Sequence, residues 1–242
     1  MTIPLLRAHT GRVLVESHRG ADKLAPENSW TAIELGYKAG ADFVEVDVQM
    51  TADHELVIYH NYRAPDGQRI RDMSRNDVCL ICAGENHIVG LEDIFEWAAH
   101  NDCKFALDLK NGFDFQRGVF ARALELVEHY DFVGRAVIIG WDHHALRWLK
   151  AQNPALTTRA ILRGRPLNLV EVVRESGADA VSLSYDLVSE DEVRALHDAG
   201  IAVIVAELFE PNFARIVELG VDGVSYGDPI LAIGELRKLG AR

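Results

Sequence analysis

The feature that most constrains this chain is an alternation that runs from end to end. Short apolar runs of strand type are each followed by an amphipathic stretch of helical period. The strand-type runs are Val13–Val15, Phe43–Val48, Lys104–Leu109, Ala136–Ile139, Thr157–Leu162, Ala180–Leu183, Ile201–Ala206 and Gly223–Ser225. The helical stretches between and after them are Glu27–Lys38, Leu91–His100, Phe115–Tyr130, His143–Ala151, Leu167–Ser176, Glu190–Ala199, Asn212–Leu219 and Pro229–Leu239. Near-continuous apolar strands joined by crossover helices pair in parallel, and the helices cover the sheet's outer face. Eight such pairs in 242 residues fit closure into a (βα)8 TIM barrel, an α/β fold. A doubly wound open sheet is the alternative arrangement of the same elements. Leu56–Tyr59 is a short extra strand beside the second.

No linker, low-complexity run or charge block divides the chain, so residues 1–242 read as one domain, although length alone allows two smaller ones. The longest irregular stretch, 61–90, reads as an insertion over the C-terminal mouth of the barrel, where such folds build their sites. Asn28 is the expected N-cap of the first helix, and Gly40 closes it. A similar turn recurs as Ala39-Gly40-Ala41-Asp42, Ser176-Gly177-Ala178-Asp179 and Leu219-Gly220-Val221-Asp222, and a repeated helix-to-strand loop accounts for it. The net charge of −12 repels nucleic acid and anionic membranes, so an anionic substrate needs a local patch of metal and basic groups. Three cysteines, Cys79, Cys82 and Cys103, are too few and odd in number for a disulfide framework. The lone C-x-x-C has no matching second pair for zinc. Met1–Arg12 has no signal-peptide pattern, and no apolar stretch approaches the roughly 20 residues of a membrane span. A cytoplasmic protein without a stable membrane anchor is expected, either a monomer or a symmetric homo-oligomer.

Polar residues gather where strands end. His18-Arg19-Gly20 ends the first strand, and His60-Asn61 follows the extra one. Glu45 and Asp47 are two apart on the second strand, as are Asp108 and Lys110 on the third, so each pair shares a face. Three carboxylates converging on a barrel interior repel one another, and desolvation adds to the cost. A divalent cation relieves this, and all-oxygen ligation by Glu45, Asp47 and Asp108 suits Mg²⁺, Ca²⁺ or Mn²⁺. An internal salt-bridge network through Arg19 and Lys110 is the structural alternative. His18 and His60 fit general acid–base work on a small phosphodiester, with Arg19 and Lys110 holding phosphate oxygens. His143 and His144 start a helix and read as surface or capping residues.

These residues resemble a known family, the glycerophosphodiester phosphodiesterases. The resemblance lies in His18-Arg19-Gly20, Pro26-Glu27-Asn28-Ser29, Gly40 to Val48, and Val57-Ile58-Tyr59-His60, taken in order and spacing. It continues through Gly90-Leu91-Glu92-Asp93, Phe105 to Lys110, Gly140-Trp141-Asp142 and Leu219 to Asp222, and so covers nearly the whole chain. It implies a βα barrel that hydrolyses glycerophosphodiesters, or similar sugar or polyol phosphodiesters, to an alcohol and a phosphomonoester. It implies His18 and His60 as the acid–base pair, Glu45 and Asp47 as metal ligands, and Arg19 and Lys110 as phosphate contacts. Glu27, at the family's Glu-Asn-Thr position, is implied to lie near metal or phosphate.

The chain departs from the family pattern in several places. Asn61 replaces the Asp that usually follows the second histidine, and the third metal ligand is the shorter Asp108 where the family has Glu. The stretch Phe105 to Lys110 also resembles the related spider-type phospholipases D, which carry Asp there and release a cyclic phosphate. Cyclisation is therefore the alternative chemistry. A catalytically silent phosphodiester-binding barrel is the third reading, against which the intact His18, His60, Glu45 and Asp47 set argues. The family's Trp-Thr-Val-Asn is replaced by Val205-Ala206-Glu207-Leu208, and its Thr-Asp-x-Pro by Gly227-Asp228-Pro229. Those changes fall on the expected substrate side, where Glu207 is either a surface residue or a contact to a polyol hydroxyl.

Overall fold

The computed structural model describes residues 2–82, 89–110, 118–206 and 210–242. Its strands are β1 (Leu14–Ser17), β2 (Phe43–Met50), β3 (Leu56–Ile58), β4 (Phe105–Leu109), β5 (Ala136–Gly140), β6 (Thr157–Leu162), β7 (Ala180–Ser184), β8 (Ala202–Ala206) and β9 (Gly223–Tyr226). The hydrogen-bonded order is β1-β9-β8-β7-β6-β5-β4-β2, and β1 also pairs with β2, so the sheet closes on itself. Every pairing in that ring is parallel. The expected (βα)8 barrel is therefore present. β3 is the extra strand, antiparallel to the far end of β2, with Val48 opposite Ile58 and Met50 opposite Leu56.

The crossover helices are α2 (Trp30–Lys38), α4 (Leu91–Ala98), α5 (Gly118–His129), α6 (His143–Gln152), α7 (Leu169–Ser176), α8 (Glu190–Asp198), α9 (Phe213–Leu219) and α10 (Pro229–Lys238). A one-turn α1 (Arg7–Thr10) precedes β1, and α3 (Arg75–Cys82) lies after β3. None of the described helices is long and apolar enough to cross a membrane.

Strand alternation splits the apolar side chains into two cores. Val13, Val15, Val44, Val46 and Val48 face outward and pack with the inner faces of the helices. Leu14, Phe43, Ala106, Val137, Ile139, Ala180 and Ala202 form the other core, and Ile3 and Leu5 from the N-terminal segment join it. That segment is tied down where the strands begin: Ile3 N–H donates to Thr157 Oγ1 at 2.6 Å, and Arg7 N–H to Asp222 Oδ1 at 2.5 Å. The barrel's lower interior is thus apolar and plugged, which leaves its upper interior for polar groups.

The recurring Gly-x-Asp turns share one device. Gly40, Gly177 and Gly220 have φ of 82°, 71° and 76°, the left-handed region that ends a helix. Two residues on, each Asp reaches back to the strand before its helix. Asp42, Asp179 and Asp222 carboxylates accept the N–H of Val15 (2.8 Å), Thr158 (2.8 Å) and Val203 (2.7 Å). Each Asp then donates its own N–H to the carbonyl of that same residue, at 2.8, 3.0 and 2.9 Å. A recurring loop solution is what the structure shows.

Helix α2 starts later than expected. Ser29 is its N-cap, accepting from Ala32 N–H at 3.2 Å, while Asn28 sits outside at φ 57°. The expectation that Asn28 caps the helix is corrected, because its amide is committed to the barrel interior instead. In the 61–90 stretch, Arg63 and Arg69 form an antiparallel bridge, a 3₁₀ turn spans Ile70–Asp72, and α3 follows. Val57, Ala64, Ile70, Met73 and Val78 give it a small core of its own.

Candidate active site

The loop after β1 is shaped by backbone that few residues tolerate. Arg19 has φ 47° and Gly20 φ 81°, and a Cβ built on Gly20 would lie 2.5 Å from the Ala32 carbonyl carbon. Only glycine fits against α2 there, and the turn brings Arg19 N–H within 2.7 Å of Glu45 Oε2. His18 Nδ1 lies 2.7 Å from Asp22 Oδ2, which assigns the ring proton to Nδ1 and leaves Nε2 as its second working nitrogen. Gly227 packs so tightly on Asp22 that an added Cβ would fall 1.6 Å from Oδ1. Burial disfavours a charged His18, but the Asp22 hydrogen bond and the negative charge of Glu45 outweigh it and raise its pKa to about 9.

The three carboxylates do converge. Glu45, Asp47 and Asp108 are 4%, 2% and 7% exposed, and one oxygen from each lies within 4.8 Å of the others. Lys110 Nζ lies 2.8 Å from Asp47 Oδ1 and also bonds Asp108 Oδ2. Arg19 Nε is 3.3 Å from Asp47 Oδ2. Asn28 clamps the same aspartate from both sides: its amide nitrogen donates to Asp47 Oδ2 at 2.8 Å, and its oxygen accepts Asp47 N–H at 3.1 Å. Burial alone would raise the Asp47 pKa; the Lys110 and Arg19 charges reverse that and hold it below the usual carboxylate range. Burial and the Asp47 charge push Glu45 up, and burial raises Asp108 despite Lys110.

The salt-bridge alternative is thus partly realised, around Asp47. It does not complete the cluster. Lys110 bonds Asp47 and Asp108, whereas Arg19 divides its guanidinium between Asp47 and Glu27, which it bonds at 2.5 Å. Asp108 Oδ1 is buried with no hydrogen-bond partner among the described residues. Such an oxygen is costly unless something binds it. The residues fit a hard divalent cation: the donors are all carboxylate oxygens, crowded together, with one oxygen orphaned.

His60 follows β3, and its Nδ1 lies 3.1 Å from Asn61 Oδ1. The Asn61 backbone carbonyl accepts from Gln49 Nε2 at 2.7 Å. Asn61 thus supplies the ring's orienting contact that a carboxylate would otherwise make, without its charge. His18, His60, Arg19, Lys110 and the three carboxylates all line one cavity of about 410 Å³ at the barrel mouth. Glu27 is the exception. It is 41% exposed and bonds Arg19 without itself lining the cavity. His143 Nε2 contacts the Ile161 carbonyl at 3.1 Å, and Asp142 is the cap of its helix. Glu207 lies outside the described residues.

Residues 18–231 match the sequence model of the glycerophosphoryl diester phosphodiesterase family. The chain belongs to that family. A glycerophosphodiester phosphodiesterase of Caldanaerobacter subterraneus subsp. tengcongensis is 25% identical over 242 residues, covering 95% of this chain and 100% of that one. A solved structure from Galdieria sulphuraria has a TM-score of 0.85 at 26% identity, over 93% of this chain and 98% of that one. An Oleispira antarctica phosphodiesterase, solved with its product sn-glycerol-3-phosphate, shares the fold with a TM-score of 0.85 at 19% identity, over 95% of this chain and 99% of that one. As a glycerophosphodiester phosphodiesterase family member, the chain falls among the phosphoric diester hydrolases.

Among the cavity residues that the sequence analysis does not single out are Asp22, Glu16 and Arg159. Asp22, which orients His18, lies in an irregular loop with no periodic signal. Glu16 and Arg159 form an ion pair across the barrel at 2.8 Å. Both had a signal: Glu16 lies two residues before His18 on the same face, and Arg159 is the single charge in the run Thr157–Leu162.

Proposed function

We propose that this family member hydrolyses glycerophosphodiesters, or similar polyol phosphodiesters, to an alcohol and a phosphomonoester in the cytoplasm. The single observation that carries the reading is that two imidazoles, two phosphate-seeking cations and three under-neutralised carboxylates line one cavity. Glu45, Asp47 and Asp108 would hold a divalent cation, Mg²⁺, Ca²⁺ or Mn²⁺. When bound, it would supply Lewis-acid polarisation of a phosphoryl oxygen. Arg19 and Lys110 bind the remaining phosphate oxygens and spread the charge that develops on them. His18, protonated at neutral pH with its Nδ1–H held by Asp22, gives a proton from Nε2 to the departing alkoxide. His60, steered by Asn61, takes the proton of the attacking water.

The test is a diester panel of glycerophosphocholine, glycerophosphoethanolamine and a sugar phosphodiester, assayed with each of the three cations. Turnover should vanish with a chelator and return with metal. His18→Ala and His60→Ala should each lose about 10²–10⁴-fold in kcat while keeping the fold. Near-full activity in either variant would refute the paired acid–base roles, and activity that survives thorough chelation would refute the cation. Cyclisation is the second reading, favoured by Asp108 and by the uncharged Asn61 beside His60. Phosphorus NMR separates the two, because a persistent cyclic phosphate supports cyclisation and a monoester alone excludes it. Binding of diesters with no turnover above background would instead favour a silent barrel.

A further inference from the structure

The cavity carries a cation that the proposed chemistry does not use. Lys23, in the loop after β1, is exposed and lines the cavity. Its Nζ donates to the Tyr226 phenol oxygen at 2.9 Å and lies 4.3 Å from the centroid of the same ring. Tyr226 ends β9, is 6% exposed, and has Phe213 packed edge-on against it at 6.0 Å. Backbone bonds set this pair beside the first histidine. His18 N–H donates to the Tyr226 carbonyl at 3.3 Å, and Lys23 N–H to the Gly227 carbonyl at 3.1 Å.

Three other cavity cations each meet a carboxylate: Arg19 meets Asp47 and Glu27, Lys110 meets Asp47 and Asp108, and Arg159 meets Glu16. Lys23 makes no ion pair among the described residues. A phenol and its ring orient an ammonium without neutralising it, so the charge stays open to an incoming anion. The reacting phosphate already has Arg19 and Lys110. The departing alcohol has no partner of its own, and it takes its proton from His18, so it leaves along the wall that carries Lys23.

We propose that Lys23, held by Tyr226, selects diesters whose departing alcohol bears a negative charge of its own, a phosphate or a carboxylate. This rests on the phosphodiesterase reading and deepens it by naming the class of alcohol released. A neutral alcohol gains nothing from Lys23, and one bearing only an ammonium meets it as a like charge.

Two pairs of diesters test it, each pair differing by one anionic group. They are glycerophosphoinositol against glycerophosphoinositol 4-phosphate, and glycerophosphoethanolamine against glycerophosphoserine. With Mg²⁺ present, kcat/KM should favour the anionic member of at least one pair by about fivefold or more, and the larger ratio tells phosphate from carboxylate. The net charge of −12 opposes the anionic member, so a preference for it has to come from a local cation. Lys23→Met keeps an unbranched side chain against Tyr226, removes the charge, and should bring the ratio to one or below. Lys23→Arg should retain about half of it. Arg163 is a second rim cation, over the Trp141 ring at 4.8 Å and after β6, four places round the ring from β1. Arg163→Met should leave the ratio in place. A wild-type ratio near one in both pairs, a ratio that survives Lys23→Met, or one that Arg163→Met removes instead, overturns the proposal. Loss of the ratio in Lys23→Arg as well as Lys23→Met also overturns it, because charge is then not what is read. Calorimetric titration of the same pairs into the His60→Ala chain reads the preference without turnover. Absence of turnover for every diester with every cation would refute the hydrolytic reading, and that titration would still support or overturn the role of Lys23.

Discussion

Both ends of this barrel hold carboxylates, and the two ends treat them in opposite ways. At the end where strands begin, Asp42, Asp179 and Asp222 each accept a strand N–H. Each also meets a cationic or imidazole partner: Arg12 at 2.6 Å, Lys150 at 3.0 Å and His197 at 2.8 Å respectively. At the mouth, Glu45, Asp47 and Asp108 crowd one another, two of them have raised pKa values, and Asp108 Oδ1 and Glu16 Oε2 have no hydrogen-bond partner among the described residues. The lower carboxylates hold strand to loop. The upper ones are arranged at a cost in stability. In a βα barrel the end where strands begin serves stability and the end where they finish serves chemistry, and here the hydrogen bonds make that division visible residue by residue.

The division breaks first if a mouth carboxylate turns out to matter for folding. Glu45→Gln should lower kcat/KM by about 10²–10³-fold, because it removes a charge that the site needs. The same change should hold or raise the thermal midpoint of the metal-free chain, because it relieves repulsion among buried carboxylates. Diester turnover and differential scanning fluorimetry on one preparation check both. A midpoint several degrees below wild type would place Glu45 with the stabilising aspartates. Asp222→Ala is the converse, with a smaller effect. It strands Arg7 N–H, Val203 N–H and His197 beside a buried hole, and should cost about 3 kcal/mol, or about 6–12 °C in midpoint. Turnover per folded molecule should not change. A drop in turnover with the midpoint intact would show that the two ends are coupled.

The same contrast explains what could be read from the sequence. The barrel was legible because eight apolar runs at regular spacing admit few arrangements. The carboxylates and Lys110 were legible because residues two apart on a strand share a face. Asp22 was not legible: its place beside His18 depends on an irregular turn and on the absence of a side chain at Gly227, and neither has a periodic signature. The Asn28 capping expectation failed for a related reason. Position and residue type both suit a cap, but the left-handed Arg19–Gly20 turn carries Asn28 inward to Asp47, and Ser29 one residue later caps equally well. Glu27 belongs to the recognised block, and its carboxylate accepts from Arg19. Arg159 could have been read as a charge inside a buried strand, yet its partner lies 143 residues away, a distance over which local pattern carries no information.

Proton uptake sharpens the comparison with the smallest effect. In the metal-free chain Glu45, Asp108 and His18 all have raised pKa values, His18 to about 9. A group with a raised pKa binds more protons folded than unfolded, so its contribution is complete below its unfolded value and is lost as pH climbs through the folded one. For His18 that window runs from about 6.5 to about 9. Asp47 has the opposite sign, with a lowered pKa, and its contribution fades only in acid, well below this window. The metal-free midpoint should therefore fall by a few degrees between pH 6 and pH 9. A divalent cation competes with the same protons, so it should raise the midpoint more at pH 8.5 than at pH 6. Asp222→Ala should lower the whole curve and leave that difference in place. Fluorimetry at the two pH values, with chelator and with Mg²⁺ or Ca²⁺, decides it. A metal-free midpoint that holds level or rises with pH, or a cation gain equal at both, would mean that the mouth carboxylates are as settled as those at the other end.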